Sequence, residues 1–224
     1  MFAQLVMIST IVLLSLVGNK TLKTSQRISY LPGKMLSLGL FLVSFGIFTY
    51  IVRDILTQFE LYKFQLIIGK TGIFFHTLGG VFILQFLTQE FVPEGLRRVF
   101  FSICLLSIIV VLIGLISFPL VSEVTQAPFE PFPYKVIRHA PAGAPSNVTI
   151  FIFIWGPTLL TGIILYNTFK LKKRKLIAKG LLYGIGLLLL FVPSLICLFI
   201  SPIYARWGYL IGAILLFKAM KIKV

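Results

Sequence analysis

Residues 65–88 read QLIIGKTGIFFHTLGGVFILQFLT, a mostly apolar run that contains one lysine and one histidine. A helix that crosses the hydrocarbon core of a bilayer needs about 20 such residues. Six further stretches on either side of this run also qualify. We therefore predict an all-α fold with seven transmembrane helices, at roughly 2–18, 35–53, 65–88, 99–120, 148–169, 179–200 and 204–221.

The composition excludes a water-soluble globular protein. Hydrophobic residues make up 58% of the 224 residues, charged residues only 12%, and the mean hydropathy is +1.02. A soluble domain of this size carries about 25% charged residues. The longest predicted non-membrane stretch is the loop at about 121–147, so we expect residues 1–224 to form one transmembrane domain.

Basic residues set the predicted orientation. The chain has 21 Lys and Arg against 6 Asp and Glu, and most of the basic residues fall in alternate loops and at the C-terminal end. Cytoplasmic loops of membrane proteins collect Lys and Arg. We therefore predict that the N-terminus lies outside and the C-terminus lies in the cytoplasm. We expect the protein to reside in the cytoplasmic membrane of a prokaryote. Because topology accounts for the basic residues, we expect no nucleic-acid partner.

A basic run follows the predicted fifth helix. It can set topology alone, or it can also attract anionic inner-leaflet lipids by about 1 kcal/mol per charge. The residues of this run are Lys170, Lys172, Lys173, Arg174 and Lys175.

Glycines at helical spacing mark three predicted spans as closely packed, because small residues let helix backbones approach in lipid. Homodimerisation through one of these spans is the alternative. Pro157 and Pro193 predict kinks in spans five and six. The helix-packing residues are Gly72, Gly79, Gly80, Gly180, Gly184, Gly208 and Gly212.

His76 is the candidate for the centre of a ligand site. It lies on the glycine stripe near the middle of span three, where a polar ring must point inward and find a partner. An interhelical hydrogen bond would satisfy it, and a ligand is the alternative. Other polar or aromatic residues predicted to line the site are Tyr50, Asp54, Lys70 and Trp155.

The residues that are missing argue against enzymatic or ion-coupled function. No Asp or Glu lies in the middle of a predicted span, and the chain has no H-E-x-x-H, G-x-S-x-G or phosphate-binding glycine loop. Cys104 and Cys197 lie in apolar runs, and His139 lies in the outer loop. We therefore expect no catalytic residues, no metal and no cofactor.

The loop at about 121–147 contains five prolines between Pro128 and Pro145. Because proline favours extended chain, we predict a stiff, non-helical segment on the outer side. It could act as a lid or docking surface, or simply connect two spans.

The layout and the hydrophobic pattern of spans two to four resemble the seven-helix N-terminal sensory region of bacterial histidine kinases. The likeness includes the Phe-rich third helix ending Leu84-Gln85-Phe86-Leu87. It implies a sensor, and because no kinase domain follows Val224, its signal is expected to pass to a separate partner.

Three functions are consistent with the sequence. The first is a small-ligand or lipid sensor, or an accessory subunit, acting through a membrane or cytoplasmic protein partner. The second is a facilitative carrier with a three-plus-one-plus-three layout like that of SWEET-type sugar carriers, although the Pro-Gln signature of that family is absent. The third is a structural subunit of a membrane complex.

Overall fold

A computed structural model describes residues 2–59, 61–117, 122–126, 135–139, 161–162, 165, 167–170, 173–199 and 202–222. The predicted helical fold is confirmed over these ranges, with one small sheet in addition. The elements are α1 (Phe2–Arg27), α2 (Leu31–Gln58), α3 (Tyr62–Phe91), α4 (Glu94–Ser117), β1 (Ser122–Gln126), β2 (Lys135–His139), α5 (Arg174–Phe199) and α6 (Pro202–Lys221).

Three of the described helices are long and apolar enough to cross a membrane. They cover Gln4–Arg27, Leu31–Gln58 and Lys63–Glu90, which correspond to the first three predicted spans. Most of the predicted span at 148–169, with Pro157, lies outside the described residues.

Helix boundaries follow the local sequence. Pro32 lies in the first turn of α2, and Pro202 is the first residue of α6. Proline suits a first helical turn because its missing N–H would have no intrahelical partner there. Ser29 adopts a φ of 51° in the tight turn between α1 and α2.

Helix α2 is central to the bundle. It packs against α1 and α3, while α6 packs against α5 and α1, and α4 packs against α3. Fully buried aliphatic side chains such as Leu40, Ile47, Ile83 and Leu216 fill the space between these helices. Buried hydroxyl groups on α1 and α2 are largely satisfied within their own helix, as where Thr10 donates to the Val6 carbonyl oxygen at 2.8 Å.

The contact between α2 and α3 depends on glycine. A Cβ on Gly79 would lie 2.7 Å from the Gly39 carbonyl oxygen and 2.8 Å from the Val43 backbone nitrogen. About two turns further along α2, a Cβ on Gly46 would lie 2.9 Å from the backbone nitrogen of His76. The two backbones therefore touch over several turns, which requires residues without side chains.

The contact between α5 and α6 has the same character. A Cβ on Gly212 would lie 2.8 Å from the Gly186 carbonyl oxygen. A Cβ on Gly180 of α5 would instead meet the side chain of Thr168, which lies in the segment before α5. Gly80 and Gly184 are buried, and Gly208 is half-buried. Sequence spacing singled out Gly212 but missed Gly186 and, on α2, Gly39 and Gly46.

Two segments of the loop at about 121–147 are described, and both are extended strands whose pairing the sequence did not predict. Strands β1 and β2 pair antiparallel, with Glu123 opposite Arg138 and Val124 opposite Ile137, and β2 lies against α2. Neither strand contains proline, so no backbone N–H that faces the partner strand is missing. The prolines at 128, 131 and 133 fall between the strands, in a stretch outside the described residues.

Candidate functional site

Polar side chains from three helices meet inside the bundle. We call this group the polar cluster; it consists of Tyr50, Arg53 and Asp54 of α2, His76 of α3, and Arg206 and Tyr209 of α6. Tyr50 and Arg53 are one turn apart on α2, as Arg206 and Tyr209 are on α6. Helical spacing therefore places an aromatic ring and a guanidinium group on one face of each helix.

An ion network holds one end of the polar cluster together. Arg53 donates to Asp54 Oδ1 from Nη2 at 2.7 Å and from Nε at 3.1 Å. Arg206 donates from Nη2 to the other oxygen, Oδ2, of the same carboxylate. All three residues are at least nine-tenths buried. Asp54 thus links α2 to α6 through a charge-assisted contact in a low-dielectric environment.

His76 lies below this network, between two tyrosine rings. Its ring centroid is 6.1 Å from that of Tyr50 and 5.5 Å from that of Tyr209. Both ring nitrogens are shielded from solvent, and neither has a hydrogen-bond partner among the described residues. The interhelical hydrogen bond that the sequence suggested is therefore not formed there. Gly46 explains the placement, because only a residue without Cβ lets α3 approach α2 at His76.

Gln65 is a further polar residue on the same face of α3. It lies about three turns before His76, is fully buried, and neither of its amide atoms has a hydrogen-bond partner in the described chain. The antiparallel register of α2 and α3 brings it to the level of Asp54. The sequence analysis did not include Gln65. Its position on the same helical face as Gly72 and His76 could have identified it.

The structure brings together only some of the residues that the sequence predicted for the site. Tyr50, Asp54 and His76 converge, whereas Lys70 is half-buried and makes no ion pair with Asp54 in the described residues. Trp155 lies outside the described residues. Arg206 was missed because nothing in the order of residues indicates that α6 packs beside the end of α2.

A second polar contact lies at the opposite end of α3, and its Tyr30 lies between the first two candidate membrane spans. Tyr30, in the turn between α1 and α2, lies against Glu90 near the end of α3, and Tyr183 of α5 is within electrostatic range of both. Burial, and then the hydrogen bond and the negative charge of Glu90, raise the pKa of Tyr30 above its usual value. This contact joins the first turn of the bundle to α3.

Replacing Tyr30 by phenylalanine should flatten the alkaline loss of stability. The unfolded chain loses the tyrosine proton near pH 10, while the folded chain retains it because the pKa is raised. Stability should therefore fall as the pH rises above about 10, and the fall should be shallower in Tyr30→Phe. Melting temperatures of the two proteins between about pH 8 and 11 test this, and parallel profiles would contradict it.

The predicted basic run is exposed where the structure describes it. Lys170, Lys173, Arg174 and Lys175 all have exposed side chains at or just before the start of α5. Lys172 lies outside the described residues. Clustered exposed cations can contact anionic lipid headgroups.

The sequence matches no protein-family model, and no curated protein matches it. Among the described residues, no three His, Cys, Asp or Glu side chains are grouped as metal ligands. The polar cluster must therefore be interpreted from its own chemistry. It combines two guanidinium groups, one carboxylate, an imidazole and two phenol rings, which can bind a polar molecule by hydrogen bonds and ring contacts.

Proposed function

We propose that this protein is a non-enzymatic, seven-helix protein of a prokaryotic cytoplasmic membrane that binds a small ligand in the polar cluster. The observation that carries the proposal is His76. Its two ring nitrogens are shielded, lie among three helices, and have no hydrogen-bond partner in the described residues. Buried polar atoms are normally paired, and a bound molecule would supply the partners.

The proposed orientation places the N-terminus outside and the C-terminus in the cytoplasm. It is supported by the alternation of basic loops along the sequence. In this orientation the Arg53–Asp54–Arg206 network lies in the outer half of the bundle, and the exposed basic residues near Lys173 face the cytoplasm.

Ligand binding would act on the packing of α2, α3 and α6, and a membrane or cytoplasmic protein partner would detect the change. Helix α6 contacts α2 through Arg206 and Asp54 in the polar cluster. At its other end, the Met220 carbonyl oxygen accepts a hydrogen bond from Lys20 Nζ of α1 at 3.2 Å. A ligand that favours one position of α6 would therefore also bias the cytoplasmic ends of α1 and α6.

Replacing His76 by leucine should abolish ligand binding while keeping the protein folded. Leucine removes two polar atoms without hydrogen-bond partners in the described chain, so we expect equal or higher thermal stability. The measurement is the melting temperature of the purified protein in lipid nanodiscs against a panel of sugars, amino acids, organic acids and lipids. Ligands that raise the melting temperature of the wild type should leave His76→Leu unchanged.

Two outcomes would contradict the proposal. If no compound shifts the wild type and His76→Leu is simply more stable, His76 has a packing role only. If a compound shifts both proteins equally, it binds elsewhere. Uptake of the same compounds into proteoliposomes separates a sensor, which gives no flux, from a carrier.

A further inference from the structure

We propose that the junction of α1 and α6 binds the headgroup of an anionic phospholipid through four lysines. We call these residues the lysine site; they are Lys20 and Lys23 of α1, and Lys218 and Lys221 of α6. The site lies at the end of the bundle opposite the polar cluster. It therefore rests on the membrane placement in the proposed function, but it requires no ligand beside His76.

Contacts between α1 and α6 bring the four lysines to one place. Lys20 Nζ donates a hydrogen bond to the Met220 carbonyl oxygen at 3.2 Å, and Lys221 is the next residue along α6. Lys23 and Lys218 each lie one turn away on their own helix. All four lysine side chains are exposed. Because the axes of packed helices are about 8–10 Å apart, flexible lysine side chains from both helices can reach one phosphate group.

The positive charge of the lysine site is not balanced within its two helices. Neither α1 nor α6 contains Asp or Glu, and none of the four lysines forms an ion pair with a residue that the structure describes. An ammonium group has three N–H donors, so Lys20 has two more after its bond to Met220. The Lys221 ammonium lies 4.6 Å from the centre of the Phe217 ring, which supports it from one side. A phosphate supplies both the acceptors and the opposite charge.

Exposed apolar side chains favour a phospholipid over a soluble phosphate compound. On α1, Val12 and Leu16 precede Lys20 at intervals of about one turn, and they are 52% and 49% exposed. On α6, Ile211 is 46% exposed and precedes Lys218 by about two turns. Each helix therefore presents apolar surface that leads to a cation at the same end of the bundle. Acyl chains would cover this surface while the lysines hold the headgroup.

The test uses the full-length protein, freed of lipid in a nonionic detergent, with three probes. Dioleoylphosphatidylglycerol has a net negative charge. Dioleoylphosphatidylcholine has the same acyl chains but no net charge, and glycerol phosphate has the phosphate without acyl chains. We expect dioleoylphosphatidylglycerol to raise the melting temperature with increasing concentration, and the other two probes to have no effect.

Two charge-matched double variants locate the effect. Lys20→Gln with Lys221→Gln should weaken the binding of dioleoylphosphatidylglycerol about 25-fold, since each cation near an anionic lipid contributes about fivefold in affinity. Lys34→Gln with Arg98→Gln is the control. It removes two exposed cations from α2 and α4 at the same end of the bundle, so it should bind the lipid like the wild type.

Two further variants separate lipid binding from helix packing. Lys20→Gln also removes the hydrogen bond to Met220, whereas Lys20→Arg with Lys221→Arg keeps both charges and should retain binding. Lys23→Gln with Lys218→Gln removes two lysines for which the described structure shows no hydrogen bond. This variant should keep the fold and should also bind the anionic lipid more weakly.

The lipid site is wrong if dioleoylphosphatidylcholine or glycerol phosphate stabilises the protein as much as dioleoylphosphatidylglycerol does. It is also wrong if the Lys20–Lys221 and Lys34–Arg98 variants lose affinity equally, because bulk charge would then explain the effect. None of the three probes tests the polar cluster. Failure of dioleoylphosphatidylglycerol to bind would therefore overturn the lipid site alone, and failure of every compound that His76 could bind would overturn only the proposed ligand site.

Discussion

Replacing Asp54 by asparagine should lower the free energy of unfolding by about 3–5 kcal/mol, the range for breaking a buried ion pair by removing one partner. Asp54 accepts hydrogen bonds from Arg53 and Arg206, and all three side chains are buried. An asparagine would leave two guanidinium groups without their shared carboxylate. Unfolding of the purified protein in detergent, followed by circular dichroism against denaturant, measures the change.

Two further variants identify the cause of the Asp54→Asn effect. The exposed acid Glu94 provides a matched control, because Glu94→Gln should change stability by only about 0.5 kcal/mol or less. Replacing Arg53 and Arg206 by methionine together with Asp54→Leu should restore much of the stability, since a buried ion network can often be exchanged for apolar residues. A loss in Asp54→Asn below about 1 kcal/mol would show that Asp54 does not carry the charge balance of the arginines.

Replacing Gly79 by alanine should separate α2 from α3 and cost about 1–3 kcal/mol, the range for overpacking. The new methyl group would meet backbone atoms, the Gly39 carbonyl oxygen at 2.7 Å and the Val43 nitrogen at 2.8 Å. Backbone atoms cannot rotate away as a flexible side chain can, so the helices must move apart. Denaturant unfolding, as for Asp54, gives the magnitude.

Gly95 offers the matched control for Gly79. It is also helical, near the start of α4, and a Cβ there would have nothing within 4 Å. Alanine favours helix over glycine by up to about 1 kcal/mol, so Gly95→Ala should be neutral or stabilising. Adding Val43→Ala should fail to rescue Gly79→Ala, because the clashing backbone atoms remain. Full rescue would show that the Val43 side chain, and not the backbone contact, sets the helix separation.

The helical class and the first three long apolar helices could be predicted from the sequence, because hydrocarbon constrains composition strongly. If the run 65–88 lies in lipid, it must be helical, because only a helix pairs all of its backbone N–H and C=O groups within the segment. Its glycines favour close packing where they face a neighbouring helix. The apolar run therefore predicted α3, and the spacing of its glycines predicted that Gly72, Gly79 and His76 lie on its packed face. The pairing of β1 with β2 was not predicted, because it depends on contacts between segments that the prolines separate.

The sequence by itself determined that the chain forms long apolar helices, because the length and composition of each apolar run can be read from that run alone. It also marked Asp54 and His76 as polar side chains in need of partners. Only the tertiary structure decided which partners they meet. Arg206 reaches Asp54 across 152 positions of the chain, and Gln65 shares the face of His76, because helices pack by the shape of their surfaces and not by their sequence separation.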